Sequence, residues 1–521
     1  MRLCIVGIGG MGGKVAQEFL RNEDLVSCKL AEFTGGEHVT SGGIKGVWLE
    51  SDENDAKNKN MFFKDGRQNT HDYPLYFIPH DVVPDGHPVH MKYGYDIKKQ
   101  GYVRDAQYLK AVFEVFEDDP EIRVKVQDLR SANPIFDCAW SAVRPYTTLG
   151  KGKCDGILFI ISFGGGTGTG FVNPIVQHIR STGKGDYPVF VLGVLTEEGT
   201  KSDREQYAKE GKRNLGAISS IYDLLTKGDG VDGVILVDNQ ILLSRCEGDY
   251  TLANRYLHQV KLPMIAGRDF PGEKPPSPAV RAFCTEGWSF PSILVPCYSR
   301  IRRRSKPETS LVEEALSTGR LFGCQPRDAD KVIVFSRGYL DTSKIRKAIT
   351  EQIPDLTDDQ IAVWRKLGDN SHVEMLILLR NPYGSPGSYL KEGTLEWRLH
   401  RVMASSIAYI DGHKADLLYL KGYSELDQTG ELTVSNETTK ALDNFFYGVR
   451  GLKAELELAM KRIERGERPF FKRPLRIFDI VNPDQKSAYS LDPNYDEITP
   501  AQRAQLRRMI QEELELMGIK T

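Results

Sequence analysis

The sequence predicts an α/β protein: a Rossmann-like parallel sheet, a central helix, a second smaller α/β unit and a mainly helical C-terminal extension. Three observations carry this reading. Short apolar runs alternate with segments of helical spacing. Two glycine-rich stretches, Gly7–Gly13 and Gly164–Gly170, each follow such a run directly. The Pro-rich stretch Asp269–Pro278 then separates two α/β patterns.

Leu3–Val6 reads as a buried strand, with Val15, Phe19 and Leu20 following at helical spacing. A second strand is expected at Gly46–Glu50. Residues 60–102 are rich in Tyr, His, Asp and Pro and read as a long loop. Helix returns near Asp105–Phe116. Strands are expected at Gly156–Ser162, Pro188–Val194 and Gly233–Val237, with helices at Val172–Arg180 and Asp203–Leu225 between them. Such alternation indicates a mostly parallel sheet covered on both faces. Beyond the Pro-rich stretch come strand-like Ser292–Pro296, helix-like Leu311–Thr318, strand Lys331–Phe335, helix Thr342–Ile353 and strand Val373–Leu379. Helices are expected again at Thr394–Ile410 and Thr438–Arg465. Thr499, Pro500 and Gln502 punctuate the start of a last one, whose Leu506, Ile510, Leu514 and Met517 share a face.

Composition narrows the function classes. Of 521 residues, 69 are Lys or Arg and 71 are Asp or Glu, a formal net charge of −2. That balance argues against a generic nucleic-acid binder. No apolar run approaches the roughly 20 residues needed to cross a bilayer. The eight cysteines are scattered without a CxxC pair, which suggests reduced thiols in a cytoplasmic protein.

The first glycine loop, VGIGGMGGK, fits Gly-x-Gly-x-x-Gly at Gly7, Gly9 and Gly12. It lets backbone approach a pyrophosphate at a helix N-terminus. A dinucleotide site would need an acid about 20 residues on, and none is cleanly placed. A tight strand–helix turn without a ligand is the plainer alternative. The second loop is more specific. Gly164, Gly165, Gly166, Thr167, Gly168, Thr169 and Gly170 lie between an apolar strand and an apolar helix. Five glycines and two threonines supply a nest of N–H groups and two hydroxyls, a phosphate cradle on a helix dipole. No GK[ST] follows, so it is not a Walker A loop.

GGGTGTG resembles the signature loop of the tubulin/FtsZ superfamily, and other segments follow in that family's order. Gly9, Gly10, Met11 and Gly12 resemble its first nucleotide loop. GVWLESDEND resembles the second, with Glu50 and Asp52 as acids near the phosphates and Asp52 as the candidate Mg²⁺ ligand. Glu198 in TEEG is similar to the ribose-binding Glu, with Arg204 as a neighbour. Asn239 in LVDNQILL and Asn254 in TLANRYLHQ resemble the two residues that read guanine, for which an amide offers donor and acceptor together. The resemblance implies a GTP-binding domain at 1–248, a central helix at 249–268 and an activation-type α/β domain at 269–382; residues 383–521 match no segment of the family and read as an added, mainly helical extension. It further implies GTP or GDP with Mg²⁺, head-to-tail self-assembly into filaments, and hydrolysis coupled to assembly.

Two segments depart from the family. The catalytic loop should carry Asn-x-Asp-x-x-Asp/Glu, but GRDFPGEKPPSPAVRAFCTEGWSF stands in its place. Asp269, Glu273 and Glu286 are the candidate catalytic acids there. This departure supports a second expectation, a nucleotide-dependent scaffold with little or no hydrolysis. Lys92–Arg104 occupies the slot of the γ-phosphate-sensing loop without resembling it. Weaker patterns read more simply as surface: the HxxH of PHDVVPDGHPVH and the basic run Arg300–Lys306. Pro469–Ile480 and the last helix could dock an adaptor or pack back on the body. Membrane contact is expected only indirectly, and sequence-specific nucleic-acid binding is not expected.

Overall fold

Residues apolar on both sides of a strand belong inside a parallel sheet, and this chain has four such runs. The structure, a computed structural model, describes residues 3–21, 45–50, 75–77, 156–182, 188–196, 230–265, 292–302, 307–366, 372–383 and 390–412, with single positions in 213–225, 280–284 and 456–465. Its strands are β1 (Leu3–Ile8), β2 (Lys45–Glu50), β3 (Leu75–Phe77), β4 (Gly156–Ser162), β5 (Val189–Leu195), β6 (Gly233–Asp238), β7 (Ser292–Arg302), β8 (Lys331–Arg337), β9 (Ile361–Lys366) and β10 (His372–Arg380). Every residue of β1, β5 and β6 is buried. The helices are α1 (Gly9–Arg21), α2 (Gly166–Thr182), α3 (Asn239–Arg245), α4 (Tyr250–Ile265), α5 (Pro307–Ser317), α6 (Thr342–Gln352) and α7 (Leu395–Gly412).

The described strands form one sheet in the order β3-β2-β1-β4-β5-β6-β7-β10-β8-β9. The first six are parallel. β10 runs antiparallel to β7 and β8. The two α/β patterns of the sequence therefore share a sheet. Their seam is short: Gly233, Val234 and Ile235 of β6 pair in parallel with Ser292, Ile293 and Leu294 of β7. Beyond it the strands part around residues 319–321. Asp238 N–H donates to the Leu321 carbonyl at 2.9 Å, while Leu321 N–H donates to Pro296 and Tyr298 N–H to Gly319, both at 2.9 Å.

One face carries α1 and α4. Ala253, Leu257, Val260 and Met264 of α4 share a core with Leu158 and Phe190 of the first half and Phe335 and Leu376 of the second. The spacing 253, 257, 260, 264 is the apolar stripe of a helix laid on a sheet. The other face carries α2, α5, α6 and α7, through Phe171, Leu311, Ile345 and Leu399. Burying each such side chain contributes roughly 1.5–3 kcal/mol. No described helix is long and apolar enough to cross a membrane.

Several elements differ from expectation for local reasons. β3 has three residues and falls inside the expected loop. β9 (IAVWRK) is a half-buried edge strand whose Arg and Lys mask the alternation. α3 has seven residues, too few to show a period. β7 extends to Arg302, so the basic run begins on its exposed end. There Arg300 pairs with Glu374 at 3.2 Å, and Arg337 reaches the same carboxylate at 3.3 Å. Asp105–Phe116, the HxxH segment, Lys92–Arg104, Pro469–Ile480 and the last helix lie outside the described residues.

The central α4 also buries two basic groups. Lys261 is fully buried, and its ammonium makes no hydrogen bond among the described residues. Burial pulls its pKa down to about 7. Burial, with Arg337 nearby, pulls His258 down to about 4. Between about pH 7 and the ordinary lysine range, the unfolded chain holds a proton on Lys261 that the folded chain lacks. Stability therefore rises with pH across that window, at up to about 1.4 kcal/mol per pH unit, and is lost as pH falls back to 7. Lys261→Met should raise the urea midpoint at pH 7 and flatten its rise to pH 9. An unchanged slope would show that Lys261 keeps its proton in the folded chain.

Candidate functional site

Parallel strands put their C-terminal ends on one edge, so the segments after β1, β4, β5 and β6 must meet there. The order of the first six strands, 3-2-1-4-5-6, reverses between β1 and β4. That reversal opens a crevice, the usual ligand site of a doubly wound sheet. Both glycine loops sit at it.

The first loop is the opening turn of α1, and the second opens α2. Gly9 has φ +75, a conformation that side-chain-bearing residues rarely adopt. A β-carbon there would lie 3.5 Å from both Gly168 N and Thr167 Cβ, so the two loops face one another. Gly12 lies against β4, where a β-carbon would be 2.0 Å from the Ile160 carbonyl oxygen. Neither helix has an acid in its first turn. Two unopposed helix N-termini thus converge on one crevice, an arrangement that favours a polyanion. The Thr169 hydroxyl donates to the Gly165 carbonyl and lies 3.3 Å from that of Gly166. It braces its own turn, as does the Gly165 N–H, which donates to the Ser162 carbonyl at 3.1 Å.

Asn239 is the first residue of α3 and is half-buried. Asp238 caps that helix, accepting from Gln240 N–H at 2.9 Å. Asn254 is half-buried on the second turn of α4, which packs beside α1 and meets it at Arg255 and Glu18, 4.0 Å apart. Glu50 closes β2, the sheet neighbour of β1. Asp52, Glu198, Arg204, Asp269, Glu273 and Glu286 lie outside the described residues. Among the described residues no group of three His, Cys, Asp or Glu could hold a metal ion.

No protein-family model and no curated protein matches the chain. Solved structures do. CetZ2 from Haloferax volcanii, a GTPγS-bound protofilament, aligns with a TM-score of 0.50 at 17% identity, covering 80% of this chain and 100% of that one. The chain has the tubulin/FtsZ fold. CetZ1 from Haloferax volcanii, a GDP-bound monomer, gives 0.49 at 18% identity over 78% of this chain and 99% of that one. CetZ from Methanosaeta thermophila gives 0.48 at 14% identity over 86% and 99%.

Within this chain of tubulin/FtsZ fold the second half grips the first at polar points the sequence did not reveal. Arg245, at the end of α3, donates to the carbonyls of Thr318 and Arg320 and to the Tyr256 hydroxyl at 3.0 Å. The buried Lys366 donates to the Ile265 carbonyl, the last of α4, at 2.9 Å. Arg380 binds Asp330 at 2.8 Å and the carbonyls of Phe283 and Cys284 at 3.0 and 3.3 Å. The stretch holding Asp269 and Glu273 is thus bounded on both sides by residues tied to the second half. Sequence reasoning also missed Arg398, which binds Asp238 from 160 residues away. No local signal marks such a pair.

Proposed function

We propose that this chain binds GTP and GDP, assembles head to tail and couples GTP hydrolysis to assembly. The observation that carries this reading is the pair of glycine-started helix N-termini, free of acids, facing each other at the β1/β4 crevice. In this proposal the phosphates lie on Gly9–Gly12 and Gly164–Gly170, Asn239 and Asn254 read guanine, and Glu198 with Arg204 meets the ribose side. Mg²⁺ neutralises the phosphates largely through water, with Asp52 as its protein acid. Asp269, Glu273 or Glu286 of one subunit faces the nucleotide of the next and positions the attacking water. A head-to-tail contact repeats as an open filament. CetZ2, which shares the fold, is described as a GTPγS-bound protofilament, and this supports the reading. The setting is cytoplasmic, and the 383–521 extension is the surface offered to an adaptor.

The altered sequence at 266–290 favours a second reading, a nucleotide-gated scaffold that does not turn GTP over. Light scattering and phosphate release, measured together at several protein concentrations with GTP and Mg²⁺, separate the two. Turnover rising steeply with concentration supports the first. Scattering without phosphate release supports the second. Purified protein carrying a dinucleotide, or showing no affinity for guanine nucleotides, would overturn both.

A further inference from the structure

We propose that Arg398, on the first helix after the activation-type domain, is a positioning residue that sets the base selectivity of the nucleotide site. The inference rests on the guanine-nucleotide reading above and assigns part of that site to the C-terminal region.

Arg398 is 3% exposed. Its Nε donates to Asp238 Oδ2 at 3.0 Å, and its Nη2 donates to the Thr196 carbonyl. These partners end two neighbouring strands, β6 and β5, at the crevice edge. The carboxylate of Asp238 is divided between two tasks. Oδ1 caps α3, whose first residue is Asn239, and Oδ2 is held by Arg398. Thr196 opens the segment that contains Glu198. Its methyl group lies where a Gly164 β-carbon would be, 1.8 Å away, so it also touches the phosphate loop. One guanidinium therefore fixes the start of the base-reading helix and the start of the ribose-side segment relative to each other.

A second contact repeats the grip. Ser405 lies seven residues further along α7, on the same face. It accepts from Asn214 Nδ2 at 2.7 Å, and Asn214 Oδ1 accepts from the Thr196 hydroxyl at 3.4 Å. Six residues after Asn214, the Ser220 hydroxyl donates to the Thr169 carbonyl at 3.4 Å, on the phosphate side. A buried ion pair adds little net stability over an apolar replacement. What the forked guanidinium adds is fixed direction, which a lysine lacks. Reading a base edge with an amide depends on direction, because a misplaced amide leaves the edge unpaired.

The test uses the full chain and competes GTP, ITP and inorganic triphosphate against a fluorescent GTP analogue. Inosine lacks only the amino group of guanine, so the GTP/ITP affinity ratio reports base reading, and inorganic triphosphate reports the phosphate cradle alone. Arg398→Met should reduce the GTP/ITP ratio at least about tenfold while triphosphate binding stays within about twofold. Arg398→Lys should fall between. Leu399→Ala, on the same helix and 1% exposed, is the packing control and should lower the melting temperature without moving the ratio. A ratio unchanged in both Arg398 variants, or lowered equally by Leu399→Ala, would overturn the positioning role. A wild-type chain that binds no nucleotide, or binds without preferring GTP over ITP, would overturn the base-reading site itself and this inference with it.

Discussion

Gly9→Ala is expected to lower GTP affinity by at least about 100-fold while leaving the chain folded. The added methyl meets nothing closer than 3.5 Å, so it does not clash with the protein. It stands between the two facing loops, over the Gly168 N–H that a phosphate would use. At φ +75 the backbone also strains by roughly 1–2 kcal/mol. Calorimetric titration with GTP, beside a thermal melt, separates the effects: titratable binding disappears, and the melting temperature falls only by a few degrees. Binding retained within tenfold would place the phosphates elsewhere than on the first loop.

The largest stability effect is expected at Arg380. Its side chain is 3% exposed and paired with Asp330, and it also satisfies the carbonyls of Phe283 and Cys284. Arg380→Met removes the ion pair and the donor to the Phe283 carbonyl, while Asp330 keeps Asn381 Nδ2 at 3.3 Å and the Cys284 carbonyl keeps the Ser292 hydroxyl at 2.7 Å, at a cost of about 3 kcal/mol in urea unfolding. Breaking the exposed Lys347–Glu351 pair, 4.0 Å apart, should change stability by less than about 0.5 kcal/mol. Similar effects from the two would show that solvent reaches Arg380. Because Phe283 lies within the 266–290 stretch that holds the candidate acids, the same substitution should, under the proposed function, slow GTP turnover more than it weakens GTP binding.

The sequence made the parallel half readable because β1, β4, β5 and β6 are buried on both faces, and such strands must be apolar without interruption. The glycine loops were readable for a different reason. A helix that starts under a ligand needs residues without side chains, and five glycines in seven positions serve few other purposes. The single sheet was not readable. Its seam rests on three residues of β6 facing three of β7, and nothing in GVILVD or SILVPCYSR states which strands adjoin. β9 was hidden because its middle, an edge strand's half-covered surface, tolerates Trp and Arg, and because its last residue is a lysine that only the fold buries. The polar ties at Arg245, Lys366, Arg380 and Arg398 were hidden because arginines and lysines are ordinary surface residues until the fold buries them. Each depends on a partner tens to hundreds of residues away.

The seam between β6 and β7 is stitched at the end remote from the crevice and opens toward it around residues 319–321. A joint of this form behaves like the spine of a book. The stitched end is held by a ladder of backbone hydrogen bonds, and the far margins are not. At those margins Asp238 N–H is bonded to the Leu321 carbonyl and Arg245 to the carbonyls of Thr318 and Arg320, so residues 318–321 bridge the gap that strand pairing leaves. Among the described residues the halves therefore pair strand to strand far from the glycine loops, and nearer the crevice they are held by individual contacts.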